Sequence, residues 1–116
     1  MLKKNNTIGV FDSGLGGLTV LSELLKILPG YHYLYLGDNA RVPYGNKSSE
    51  LIYNYTKQAI NFLFSRGANL IIIACNTASA EALRSIQQNY LPKHWPDRRV
   101  LGVIRPVAEF AAHSQS

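Results

Sequence analysis

The sequence predicts an α/β fold, an open parallel sheet of about four strands with helices on both faces. Two observations predict it. Short apolar runs alternate with stretches of helical spacing, strand then helix, three times over before a further strand begins. Residues 70–74 (LIIIA) are apolar on both faces, as a central parallel strand covered by helices on each side must be. Right-handed crossovers through the intervening helices then make the sheet open and parallel.

Residues 7–11 (TIGVF) read as a buried strand broken by Asp12-Ser13-Gly14. Leu18, Leu21, Leu24, Leu25 and Leu28 recur at helical spacing, and Pro29-Gly30 stops that helix. Residues 31–36 form an aromatic-rich second strand ending at Gly37-Asp38, and a loop with Pro43 and Gly45 as its turn residues follows. Ser48 or Ser49 can cap a long helix whose expected inner stripe is Ile52, Tyr55, Ala59, Phe62 and Leu63, with Gly67 as its left-handed terminator. After the strand at 70–74, helical spacing resumes through Ala82, Leu83, Ile86 and Tyr90. Residues 91–99, with two prolines, read as a loop. Residues 100–104 are a fourth strand, and Pro106 fits the first position of another helix. No internal repeat or linker divides residues 1–116, so one domain is expected. Its last helix is short enough that the chain looks cut off.

Composition narrows the function classes. Of 116 residues, 47% are hydrophobic and 16% charged, which excludes wholesale disorder. The formal charge of +5 comes from scattered Lys and Arg, with only Lys3-Lys4 and Arg98-Arg99 as pairs, so no nucleic-acid partner is expected. The single cysteine, Cys75, excludes an intrachain disulfide framework. With no signal-like segment and no apolar run long enough to span a bilayer, the expected setting is the cytoplasm, away from membranes.

The chemistry gathers after the first three strands. In a parallel sheet all strand carboxyl ends share one edge, and ligands bind in the crevice there. Cys75 ends the third strand and precedes a helix, where backbone N–H groups favour a thiolate. The alternative is a buried structural cysteine, but Asn76 and Thr77 beside it are polar groups an apolar core would not want. Asp12 and Ser13 either cap the first helix or, with the glycines after them, help cradle an anionic group. Asp38 and Asn39 share that ambiguity. Tyr44, between Pro43 and Gly45, reads as pocket wall or hydrogen-bond donor. His32, His94 and His113 have no metal-ligand spacing with Cys75, so no metal is expected. The tyrosine-rich second strand reads as core and pocket lining, and Trp95 as surface packing.

Residues 11–20 (FDSGLGGLTV), 35–45 (YLGDNARVPYG) and 74–79 (ACNTAS) together resemble glutamate racemase, in the aspartate/glutamate racemase superfamily. The resemblance implies one Rossmann-like half of a two-domain enzyme that interconverts L- and D-glutamate without a cofactor and supplies D-glutamate for peptidoglycan. It implies two thiols on opposite faces of the substrate α-carbon, with Cys75 as the first acid/base and Asp12 as the carboxylate associated with it. Ser13, Pro43, Tyr44, Gly45, Asn76 and Thr77 match substrate-contacting positions. The family's second cysteine, in a Thr-Cys-Thr-His type motif, has no counterpart here, and Arg105 precedes Pro106 where Glu is usual. The isolated chain is therefore expected to be inactive as a racemase.

Three rival readings follow from the same residues. Gly14-Leu15-Gly16 mimics a dinucleotide fingerprint, but Thr19 stands at the third glycine position. A non-catalytic binding or regulatory half is the second, since the resemblance extends to racemases that restrain DNA gyrase. A related racemase acting on aspartate or hydantoins is the third. A homo-oligomer, or a missing carboxy-terminal domain, is expected to cover an exposed flank of the sheet.

Overall fold

The β-branched and aromatic run of Thr7–Asp12 forms β1, which lies inside a sheet of order β2-β1-β3-β4. The computed structural model describes residues 6–12, 17–38 and 47–102, apart from the side chains of residues 17–19. The other strands are β2 (His32–Gly37), β3 (Leu70–Ile73) and β4 (Arg99–Gly102). Every pairing is parallel: Val10 stands opposite Tyr35 on one side and Ile72 on the other, and Ile72 opposite Leu101.

Alternation along the strands sorts their side chains into two layers. Phe11, Ile71, Ile73 and Val100 join one core with α2 (Ser49–Ser65) and the helical segments that follow β3. Ile8, Val10 and Ile72 form the other, against Leu21 and Leu24 of α1 (Gly17–Ile27) and against Tyr33 and Tyr35 of β2. Helices therefore cover both faces, as the sequence predicts.

The ends of the helices follow their local chemistry. Ser48 caps α2, its hydroxyl accepting from the Leu51 N–H at 3.2 Å. At the other end Gly67 takes φ 102°, and the Ala68 N–H returns to the Leu63 carbonyl at 3.0 Å. The carboxyl end of α1 is tied down from outside the helix: the Tyr33 hydroxyl donates to the Leu28 carbonyl at 2.7 Å and to that of Leu24 at 3.2 Å.

Two expectations need correction. The inner face of α2 carries Thr56, Ile60 and Phe64 besides Ile52, Ala59 and Leu63, whereas Phe62 is 42% exposed and Tyr55 only half-buried. Thr56 can be buried because its hydroxyl donates to the Ile52 carbonyl at 2.7 Å within the helix. Phe62 instead lies under the Arg66 guanidinium, 4.8 Å from its ring.

After β3 the expected single helix and loop are replaced by a broken helical run. Helix α3 (Asn76–Glu81) stops at Ala82, α4 (Leu83–Ser85) leads into a π-helical turn over Ile86–Tyr90, and α5 (Leu91–His94) follows. Pro92 accounts for the π-helical turn. Its ring crowds the carbonyl four residues back, and the wider turn, with the Leu91 N–H reaching the Ile86 carbonyl, makes room for it in the first turn of α5. Trp95 is half-buried and packs at the core margin, 5.2 Å from the Phe64 ring, and donates to Asn61 Oδ1 at 3.2 Å. The helix expected from Pro106 and the end of the last strand, residues 103–104, lie outside the described residues. Among the described residues no helix is long and apolar enough to cross a membrane.

Candidate functional site

Strand β1 runs one residue further than the sequence indicates, so Asp12 is its last residue and not part of the turn. Its carboxylate sits at the carboxyl edge of the sheet with the residue only 4% exposed. The ladders continue past the strand ends there: the Asp38 N–H reaches the Asp12 carbonyl at 2.8 Å, and the Ala74 N–H reaches that of Phe11 at 2.7 Å. These bonds fix Asp12, Asp38 and the residue before Cys75 along one edge. That is the gathering the parallel topology demands.

Cys75 caps α3. Its backbone is extended, at φ −85° and ψ 123°, and its Sγ accepts from the Ala78 N–H at 3.4 Å. The thiol is in no disulfide and is buried, packed in the α2-side core beside Ala78. Asn76 opens α3 exposed and Thr77 is half-buried, directly after the thiol in sequence. Ser79 is held inward, its hydroxyl donating to the Ile73 carbonyl at 3.3 Å, and it anchors α3 to the end of β3.

The two candidate groups reach the edge from different layers. Cys75 belongs to the α2-side core, whereas the Asp12 carboxylate meets Tyr35 of the α1-side cluster. The Tyr35 hydroxyl donates to Asp12 Oδ2 at 3.5 Å. Burial, and then the charge and hydrogen bond of Asp12, push the Tyr35 phenol above its ordinary value. Sequence reasoning placed Tyr35 in the core and pocket wall and missed this contact. The signal was available in register: Tyr35 pairs with Val10, two residues before Asp12 on the same face.

A cavity of about 270 Å³ opens at the same edge, lined by Leu36, Gly37, Asp38, Tyr55 and Phe62 among others. A roomier one, about 550 Å³, lies at the opposite edge by Asn6, Asn69, Leu70 and Arg99. Volume alone would favour the second. The first lies at the carboxyl edge, where Asp38 lines it, although Asp12 and Cys75 are not among the residues lining it. Among the described residues no group of three or more His, Cys, Asp or Glu side chains gathers as a metal site. Ser13, Asn39, Pro43, Tyr44 and Gly45 lie outside the described residues.

The chain is similar to several glutamate racemases. A glutamate racemase of Jannaschia sp. (strain CCS1) is 48% identical over 108 residues, 93% of this chain and 39% of that protein. The glutamate racemase of Escherichia coli, solved with L-glutamate and the activator UDP-MurNAc-ala, matches with a TM-score of 0.75 at 37% identity, over 86% of this chain and 36% of that one. That of Francisella tularensis, solved with D-glutamate, matches with a TM-score of 0.74 at 43% identity, over 86% and 36%. No protein-family profile matches. The chain is thus a homologue of glutamate racemases along nearly its whole length and spans 39% of the length of the Jannaschia relative.

Proposed function

We propose that this chain is one catalytic half of a cytoplasmic glutamate racemase, an isomerase supplying D-glutamate for peptidoglycan, with Cys75 as one of its two acid/bases. One observation carries the reading: the chain's only cysteine, two residues past β3, caps α3 at the edge that also holds Asp12, in a homologue of glutamate racemases. The E. coli and F. tularensis proteins, solved with the two enantiomers of glutamate, support the substrate assignment.

The chemistry needs two groups on opposite sides of the α-carbon. A thiolate takes the α-proton, the electron pair is left on carbon beside the carboxylate, and a thiol on the far face returns a proton to complete inversion. A thiol suits both roles near neutral pH, its ordinary pKa being about 8.5. Cys75 provides one such group, with Asp12 as its associated carboxylate. Asn76 and Thr77 bind the amino-acid head group, together with Ser13, Pro43, Tyr44 and Gly45. The second thiol has to come from outside these 116 residues, so racemisation by the isolated chain is not expected. Half of the reaction is.

Binding of L- or D-glutamate, followed by amide NMR of the labelled chain, tests the assignment. Shifts concentrated at Asp12, Asp38, Asn76 and Thr77, and larger for glutamate than for aspartate, are the expected result. Shifts confined to the opposite edge, around Asn69 and Arg99, would overturn it. The single thiol favours a second reading, a half-fold that binds without catalysis, and binding without any proton exchange would select it.

A further inference from the structure

We infer that Tyr35 is a positioning residue for the Asp12 carboxylate, and that Gly37 is glycine because the Tyr35 ring must cross it to reach that carboxylate. The inference deepens the proposed racemase reading and rests on it for the purpose that the positioning serves.

The geometry comes from the strand register. Tyr35 stands opposite Val10, and Gly37 opposite Asp12, so Tyr35 is one pleat short of the carboxylate along the same face. A tyrosine standing upright from the sheet would not reach it. Here the side chain leans along β2 toward the carboxyl edge. A Cβ built at Gly37 would meet the Tyr35 ring at 3.2 Å (Cε1) and its hydroxyl at 3.4 Å. The ring thus lies over the place where any other residue at 37 would put its side chain. From there the hydroxyl donates to Asp12 Oδ2 at 3.5 Å. This is the long end of hydrogen-bond geometry, as is common for catalytic contacts before substrate binds. Gly37 has no positive φ to account for it, and a Cβ there would require the Tyr35 ring to give by a few tenths of an ångström.

A carboxylate that must stay beside a reacting thiol gains from a donor that fixes one of its oxygens. The phenol suits that task because it stays protonated through neutral pH. The layers explain why the donor comes from β2: Asp12 faces the α1 side, where Tyr33 and Tyr35 replace aliphatic core.

The test titrates the Tyr35 phenol by 13Cζ NMR in the 116-residue chain, its signal assigned from Tyr35→Phe, and reads the Asp12 χ1 rotamer from three-bond couplings. In Asp12→Asn the Tyr35 titration should move to lower pH, and in Gly37→Ala it should move the same way as the new methyl displaces the ring. In Tyr35→Phe the Asp12 rotamer populations should shift. An unchanged Tyr35 titration in both variants, or unchanged Asp12 rotamer populations without the hydroxyl, would overturn the inference. Loss of glutamate binding by the unsubstituted chain would count against the racemase reading alone, because the titration and the couplings need no substrate.

Discussion

The two faces of the sheet are built differently. On the α2 side, Phe11, Ile60, Leu63, Ile71, Ile73 and Val100 are all 0–1% exposed and belong to one continuous apolar core. On the α1 side, among the described residues, Ile8, Val10 and Ile72 are the buried apolar ones, half-buried tyrosines pack against them, and Leu25, Ile27 and Leu101 are 50%, 70% and 48% exposed. One layer holds the fold by close packing. The other trades aliphatic burial for hydroxyl groups that reach α1 and Asp12. The candidate site lies where these layers meet, a thiol seated in the packed layer and a carboxylate held from the open one.

That contrast can be broken by substitution. Phe11→Ala empties the packed layer and should cost about 3–5 kcal/mol, read as a lower midpoint in urea unfolding with the slope unchanged. Ile72→Ala does the same to the open layer and should fall near the low end for such truncations, about 2 kcal/mol, because the site can relax toward solvent. Equal losses at the two positions would remove the distinction.

Tyr33→Phe should cost about 1 kcal/mol by leaving the Leu28 carbonyl at the end of α1 without its hydroxyl donor. It should also blunt alkaline unfolding. Burial first, then Tyr31, raises the Tyr33 phenol above its ordinary value of 10.0, so the folded chain favours the protonated form. The stability this brings is complete below pH 10 and is lost as pH rises above it, a loss that the phenylalanine variant should show less of. The smallest effect is expected at Ile27→Ser, within about 0.5 kcal/mol of zero, since that side chain is already in water. A cost of 2 kcal/mol or more there would mean that Ile27 is covered in solution.

Much of this was legible in the sequence, and the failures have a common cause. The strand β3 and the glycine after α2 were readable because a doubly apolar run and a left-handed turn leave few alternatives. Cys75, Asn76 and Thr77 could be placed because residues just past a parallel strand have one edge to go to. The Phe62 and Thr56 exchange on α2 was hidden, since a threonine whose hydroxyl is satisfied by its own helix packs like valine. The π-helical turn before Pro92 and the reach of Tyr35 across Gly37 were hidden for a related reason. Each depends on how two neighbouring groups divide space, which periodicity does not encode.

The most direct test of the central claim is α-proton exchange of each glutamate enantiomer in deuterated water by the purified chain, followed by NMR. With one thiol present, the account predicts deuterium incorporation with retention into a single enantiomer, no inversion, and loss of exchange in Cys75→Ser. Exchange that survives Cys75→Ser, or no exchange of either enantiomer at any pH from about 6 to 9, would contradict it.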